Sequence, residues 1–172
     1  MRKLLFHSLF GGPATEKPPA PGDAELAELG RALERAAGRR LGRSLSIRAV
    51  DAGSCNGCEL ELHALNNAYY DVERFGIRFV ASPRHADVLL VTGPVTKNMR
   101  EALERTYAAT PAPKWVVAVG DCAADGGIFR GSYACFGGVG EAIPVDLHIP
   151  GCPPNPVQLL KGLLALLEQN AR

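Results

Sequence analysis

No apolar run in the 172-residue sequence reaches the ~18 residues that a membrane span requires, so the chain offers no helix that would cross a bilayer. Charge of one sign is not in excess either. Nineteen basic and eighteen acidic side chains give +1, which argues against nucleic acid as the main partner. A secretory h-region is also missing: Met1-Arg2-Lys3-Leu4-Leu5-Phe6 begins like one, but His7 and Ser8 interrupt it ahead of Gly11-Gly12-Pro13. There is no twin-arginine leader and no internal repeat, and the expectation is a cytoplasmic protein. What is present is a composition of 47% hydrophobic and 22% charged residues, ordinary for one globular domain with a buried core.

Cysteine is scarce and oddly placed. The five, Cys55, Cys58, Cys122, Cys135 and Cys152, are an odd number, and a reducing cytosol gives them no disulfide framework. One close pair and three singletons in Gly- or Pro-rich sequence look more like metal ligands than core residues.

Residues 1–43 read as an N-terminal extension. Leu4, Leu5, Phe6, Leu9 and Phe10 make a short apolar segment, and residues 11–22 form a Pro/Gly linker. Asp23 is a plausible N-cap, and Leu26, Leu29, Leu33, Ala37 and Leu41 follow at helical spacing, predicting an amphipathic helix over 23–42. Its apolar face suits either docking on a protein surface or lying on a membrane. The first fifty residues carry +4 and the rest −3, so the basic excess sits at this end.

From residue 44 to residue 172 strands alternate with helices. Strands are expected at 44–50, 77–81, 88–92, 115–119 and 144–149, and helices at 57–73, 96–108 and, after an Asn155 cap and Pro156, through Gln169. The runs VLLVT and WVVAV are apolar throughout, which implies a parallel sheet covered on both faces. Cys55, Cys58, Cys122 and Cys152 all follow the carboxyl ends of expected strands, the edge where open α/β sheets bind ligands. Soft thiolates there select an iron–sulfur cluster or zinc. Zinc sites often use two close-spaced ligand pairs, and only one C-x₂-C pair exists.

Three motifs in order, D-A-G-S-C-N-G-C-E-L-E-L, G-D-C-A-A-D-G-G-I-F and I-P-V-D-L-H-I-P-G-C-P-P-N-P, resemble those of the small subunit of [NiFe]-hydrogenases. The match is to the short form in membrane-bound, energy-converting enzymes of the formate hydrogenlyase type. Similar motifs recur in the homologous cluster-carrying subunit of respiratory complex I. The resemblance covers roughly residues 44–168 and implies a flavodoxin-like domain with one [4Fe-4S] cluster on Cys55, Cys58, Cys122 and Cys152. Cys135 falls outside the motif cysteines and reads as a small buried hydrophobe.

The spacing C-N-G-C is that of the hydrogenases, where the complex I subunit has its first two ligands adjacent. None of the twenty residues after Cys152 is a cysteine, which fits one cluster rather than several. The implied role is to pass electrons between ferredoxin-like iron–sulfur subunits and the NiFe site of a large subunit. Integral membrane subunits would hold the complex at the cytoplasmic face, and the reaction would be reversible reduction of protons to dihydrogen. The alternatives are a complex I-like quinone oxidoreductase subunit and a zinc-stabilised binding module. Glu61, three residues past Cys58, is the expected proton-relay carboxylate, with Glu59 next. Asp121 and Asp125 read as solvated loop acids, His63 as a helix-surface residue and His148 as a strand residue.

Overall fold

The computed structural model describes residues 23–169. The apolar segment at 1–10 and the Pro/Gly linker at 11–22 lie outside the described residues. The chain runs α1 (Asp23–Leu41), β1 (Leu45–Asp51), α2 (Gly57–Ala64), β2 (Ile77–Phe79), β3 (Val88–Thr92) and β4 (Val95–Thr96). It continues with α3 (Lys97–Ala109), β5 (Trp115–Val119), α4 (Asp121–Asp125), β6 (Cys135–Gly137), β7 (Leu147–Ile149) and α5 (Pro156–Gln169). Five strands form one sheet in the order β2-β1-β3-β5-β7, with every neighbouring pair parallel. Counting only these five in chain order gives 2-1-3-4-5, the doubly wound flavodoxin arrangement. The expected fold class is the observed one. β4 and β6 pair separately as a small antiparallel ribbon.

The continuous apolar strands explain the two cores. Side chains alternate across a strand, so a strand buried on both faces feeds two clusters. Val88, Leu90, Trp115, Val117 and Val119 point into one core, which Leu62 of α2 and Leu159, Leu160 and Leu163 of α5 complete. Leu89, Val91, Val116 and Ala118 point into the other, with Leu103 of α3 and Ala123 of α4. Helix α1 inserts Leu26, Leu29, Leu33, Ala36 and Ala37 into the first core and packs against α5. Of its two expected seats, a protein surface and a membrane, it takes the domain itself.

The helix expected over 57–73 is shorter. α2 stops at Ala64, and the chain turns before a single 3₁₀ turn at Val72–Phe75. The physical reason lies in Asn67, whose Oδ1 accepts from the backbone N–H groups of Tyr69 (2.9 Å) and Tyr70 (3.0 Å). That bonding competes with helical pairing. The start of α5 is as expected: Gln158 N–H donates to Asn155 Oδ1 (2.9 Å), and Asn155 N–H to Gln158 Oε1 (2.8 Å).

Candidate metal centre

The parallel sheet sends every strand's carboxyl end to one edge, and there β1, β5 and β7 run into the cysteine-bearing segments. Cys55 is exposed in the loop after β1, and Cys58 is partly buried in the first turn of α2. Cys122 is buried in the five-residue α4, and Cys152 is exposed just past β7.

Local hydrogen bonds shape the first loop. Asp51 Oδ1 accepts from the backbone N–H groups of Gly53 and Ser54, both at 2.7 Å. Ser54 Oγ accepts from Asn56 N–H (3.0 Å) and donates to Glu59 Oε2 (2.5 Å). Asn56 sits at φ 70, a left-handed conformation that asparagine tolerates better than most residues. It starts α2 there, so that Cys58 falls in the first helical turn.

The other two loops are tied to each other. Gly120 N–H donates to Ile149 O (2.8 Å) and Asp121 N–H to Gly151 O (2.9 Å). Gly151 N–H returns a bond to Asp121 Oδ1 at 2.8 Å. His148 Nε2 lies 3.1 Å from Gly120 O and, as the protonated nitrogen, donates to it. Asp121 is exposed, as a solvated acid would be, and is also a clamp between the Cys122 and Cys152 segments. Its partner lies thirty positions away, so no local spacing reveals it. Asp125 is also engaged, accepting from Gly127 N–H (2.9 Å) and pairing with Arg130.

All three segments meet at Gly120. A Cβ there would come 2.7 Å from Cys58 Sγ and 3.2 Å from Gly151 O, and φ of +87° disfavours a side chain in any case. Gly127, at φ +48°, repeats the arrangement: a Cβ would lie 2.9 Å from Cys122 Sγ. The backbone thus approaches two sulfurs more closely than any other residue type permits.

The four thiols act on one another. Burial, then the Glu59 carboxylate, then Cys55, Cys122 and Cys152, push the Cys58 thiol from an ordinary 9.0 up to about 12. Cys122 is raised as well, chiefly by burial, with Cys152, Cys55 and Asp121 adding to it; the Ile128 backbone N–H, bonded to Cys122, works in the opposite sense. Among the described residues no group of three or more His, Cys, Asp and Glu side chains closes around a single metal ion. Four soft donors that sense one another, spread over three loops and flanked by glycine, fit a broader metal group than one ion.

Cys135 stands apart. It is partly buried at the start of β6, opposite Thr96, and is not among the groups that raise Cys58 or Cys122. Glu61 is partly buried in α2, on the same helical side as Cys58 by its i+3 spacing. His63 is exposed on α2.

Fold and site define a class: a flavodoxin-order α/β domain that presents four thiols from three loops at one sheet edge. Residues 55–166 match the family described as NADH ubiquinone oxidoreductase, 20 Kd subunit, and the chain belongs to that family. Formate hydrogenlyase subunit 7 of Escherichia coli is 47% identical over 134 residues, covering 76% of this chain. The matched part is 52% of that protein, so the chain spans about half the length of this relative. A probable membrane-bound hydrogenase subunit, mbhJ, of Pyrococcus furiosus is 46% identical over 132 residues, covering 77% of this chain and 79% of that one. Among solved structures, the membrane-bound sulfane sulfur reductase, an archaeal respiratory membrane complex, contains a chain similar at a TM-score of 0.66 and 35% identity. That alignment covers 81% of this chain and 77% of the other. The three motifs and the comparisons agree on the family. No helix among the described residues is long and apolar enough to cross a membrane.

Proposed function

We propose that the chain is the electron-transfer subunit of a membrane-associated [NiFe]-hydrogenase complex, with one [4Fe-4S] cluster held by Cys55, Cys58, Cys122 and Cys152. The observation that carries this reading is the meeting of the three thiol-bearing segments at Gly120. Bound there, such a cluster supplies one-electron redox chemistry. The rest falls to the protein. Gly120 and Gly127 keep side chains out of the space beside two sulfurs, the Asp121–Gly151 pair holds two ligand segments in register, and the Ile128 N–H favours negative charge on the Cys122 sulfur.

Leu60, two residues past Cys58, and Ile128, just after α4, are exposed apolar side chains on these segments. Exposed apolar groups around a redox edge suit docking of a large subunit with the NiFe site. A ferredoxin-like subunit would exchange electrons with this chain, and integral membrane subunits would anchor the assembly at the cytoplasmic face. Two named hydrogenase relatives and the C-N-G-C spacing favour hydrogenase over a quinone oxidoreductase. The likeness to a sulfane sulfur reductase makes nickel in the co-purified large subunit the deciding measurement.

Serine at each of the four cysteines is expected to lose iron and acid-labile sulfide, while Cys135→Ser retains both. Full iron loss from the Cys135 variant overturns the ligand assignment. A colourless protein that binds zinc and no iron overturns the cluster, because d¹⁰ zinc does not absorb visible light.

A further inference from the structure

Thr96 ends β4 and stands at the cap position of α3, where a threonine hydroxyl ordinarily accepts a bond from one of the helix's first free N–H groups. Here it makes no such bond. Its Oγ1 donates instead to Ala52 O at 3.1 Å, and the Thr96 N–H donates to the same carbonyl at 2.9 Å. A hydroxyl that forgoes its own helix for a carbonyl 44 positions earlier has another use.

That carbonyl belongs to the peptide between Ala52 and Gly53, and Ala52 lies three residues before Cys55. The peptide is bonded at both ends: its oxygen takes the two donors of Thr96, and its N–H donates to Asp51 Oδ1 at 2.7 Å. The fit is close. Gly53 is at φ +117°, and a Cβ there would collide with the Thr96 methyl and lie 2.8 Å from its Oγ1. Gly93, at φ +75°, confines the next residue in the same way, since a Cβ on it would come 2.5 Å from Ser54 N. Thr96 is itself well seated. It pairs with Cys135 across the β4–β6 ribbon, and Lys97 N–H donates to Ala134 O at 2.8 Å. The ribbon leads into Gly138, which packs on the helix of Cys122: a Cβ on Gly138 would collide with Ala124 O and lie 3.0 Å from Asp125 N.

We propose that Thr96 is a positioning residue for the metal centre: its hydroxyl fixes the Ala52–Gly53 peptide and so the start of the loop that presents Cys55 and Cys58. Through the ribbon, the first thiol-bearing loop and the helix of Cys122 share one support. The hold on the peptide stands on the geometry alone. Its bearing on the metal rests on the assignment of Cys55 and Cys58 as ligands.

Amide hydrogen exchange on the purified full chain tests the hold. Thr96→Val keeps the shape and the methyl and removes the hydroxyl. The Gly53 amide, the other end of the fixed peptide, is expected to exchange about tenfold faster, the order expected for one hydrogen bond, with the β3 and β5 amides unchanged. Thr96→Ser returns the hydroxyl and recovers the protection. Should the valine variant fail to fold, Thr96→Ala set against Thr96→Ser makes the same comparison without the methyl. Wild-type exchange at Gly53 in Thr96→Val, or an acceleration that serine does not reverse, overturns the proposal. Release of iron to a chelator tests the bearing on the metal. It is expected to be about tenfold faster from Thr96→Val and to return to the wild-type rate in Thr96→Ser. Release at the wild-type rate from both removes Thr96 from the metal centre. Iron content of the wild-type chain and of its cysteine variants judges the ligand assignment separately, and the Gly53 amide reports on Thr96 whether or not that assignment stands.

Discussion

Glu61 lies one helical turn beyond Cys58, partly buried where its neighbour Leu60 is exposed. A carboxylate in that place, beside the edge proposed to meet the large subunit, suits a proton relay. Glu61→Gln nearly preserves shape and hydrogen bonding and removes the titratable group. Hydrogen turnover of the assembled complex is expected to fall by about 10²–10⁴-fold, the usual worth of a general acid or base, with iron content and cluster reduction at wild-type levels. Near-normal turnover leaves Glu61 as an ordinary helix acid. The candidate cysteines were legible because each follows the carboxyl end of an expected strand, and strand ends of a parallel sheet share an edge. Asp121 and Ser54 were not. The bonding of Asp121 depends on Gly151 across the chain, and that of Ser54 on a turn whose shape is set by the left-handed Asn56.

Among the elements, α1 has the most to reveal about how the extension relates to the sheet. Leu33 is fully buried against the first core. Leu33→Ala is expected to cost about 2–5 kcal/mol in a denaturant titration, the range for a buried leucine truncation. Iron content should not change, because α1 covers a sheet face and the thiols line an edge. A cost below about 0.5 kcal/mol, the range of an inconsequential surface change, shows α1 to be loosely attached. Strands β3 and β5 were legible to the residue because an unbroken apolar run has one use in this architecture. The ribbon of β4 and β6 was not, since strands of two and three residues leave no periodic trace. α2 was overextended because Leu62, Leu65 and Tyr69 continue a helical spacing that the Asn67 side chain interrupts.

For the whole molecule, the raised thiols link folding to pH. In the metal-free chain Cys58 keeps its proton to about 12 when folded, against 9.0 ordinarily. Between those values the folded form binds a proton that the unfolded form has lost, so stability falls as pH rises through this window and is fully present below it. Cys122 acts in the same direction. Denaturant midpoints of the metal-free chain are expected to drop between about pH 8 and about pH 11, and Cys58→Ala to flatten the drop. An unchanged slope in that variant places the titration elsewhere.

The sulfurs come in two kinds, Cys55 and Cys152 at the surface and Cys58 and Cys122 sunk behind them. An alkylating reagent senses that division, because attack requires both access and a thiolate. At about pH 8 the shift of Cys58 from 9.0 to about 12 holds its thiolate fraction roughly a thousandfold below that of an ordinary thiol. Mass-resolved iodoacetamide labelling of the metal-free chain is therefore expected to mark Cys55 and Cys152 within the first phase and Cys58 last. The two faces of the site differ in chemical lifetime: a reagent arriving from solvent is expected to consume the outer pair before the inner one.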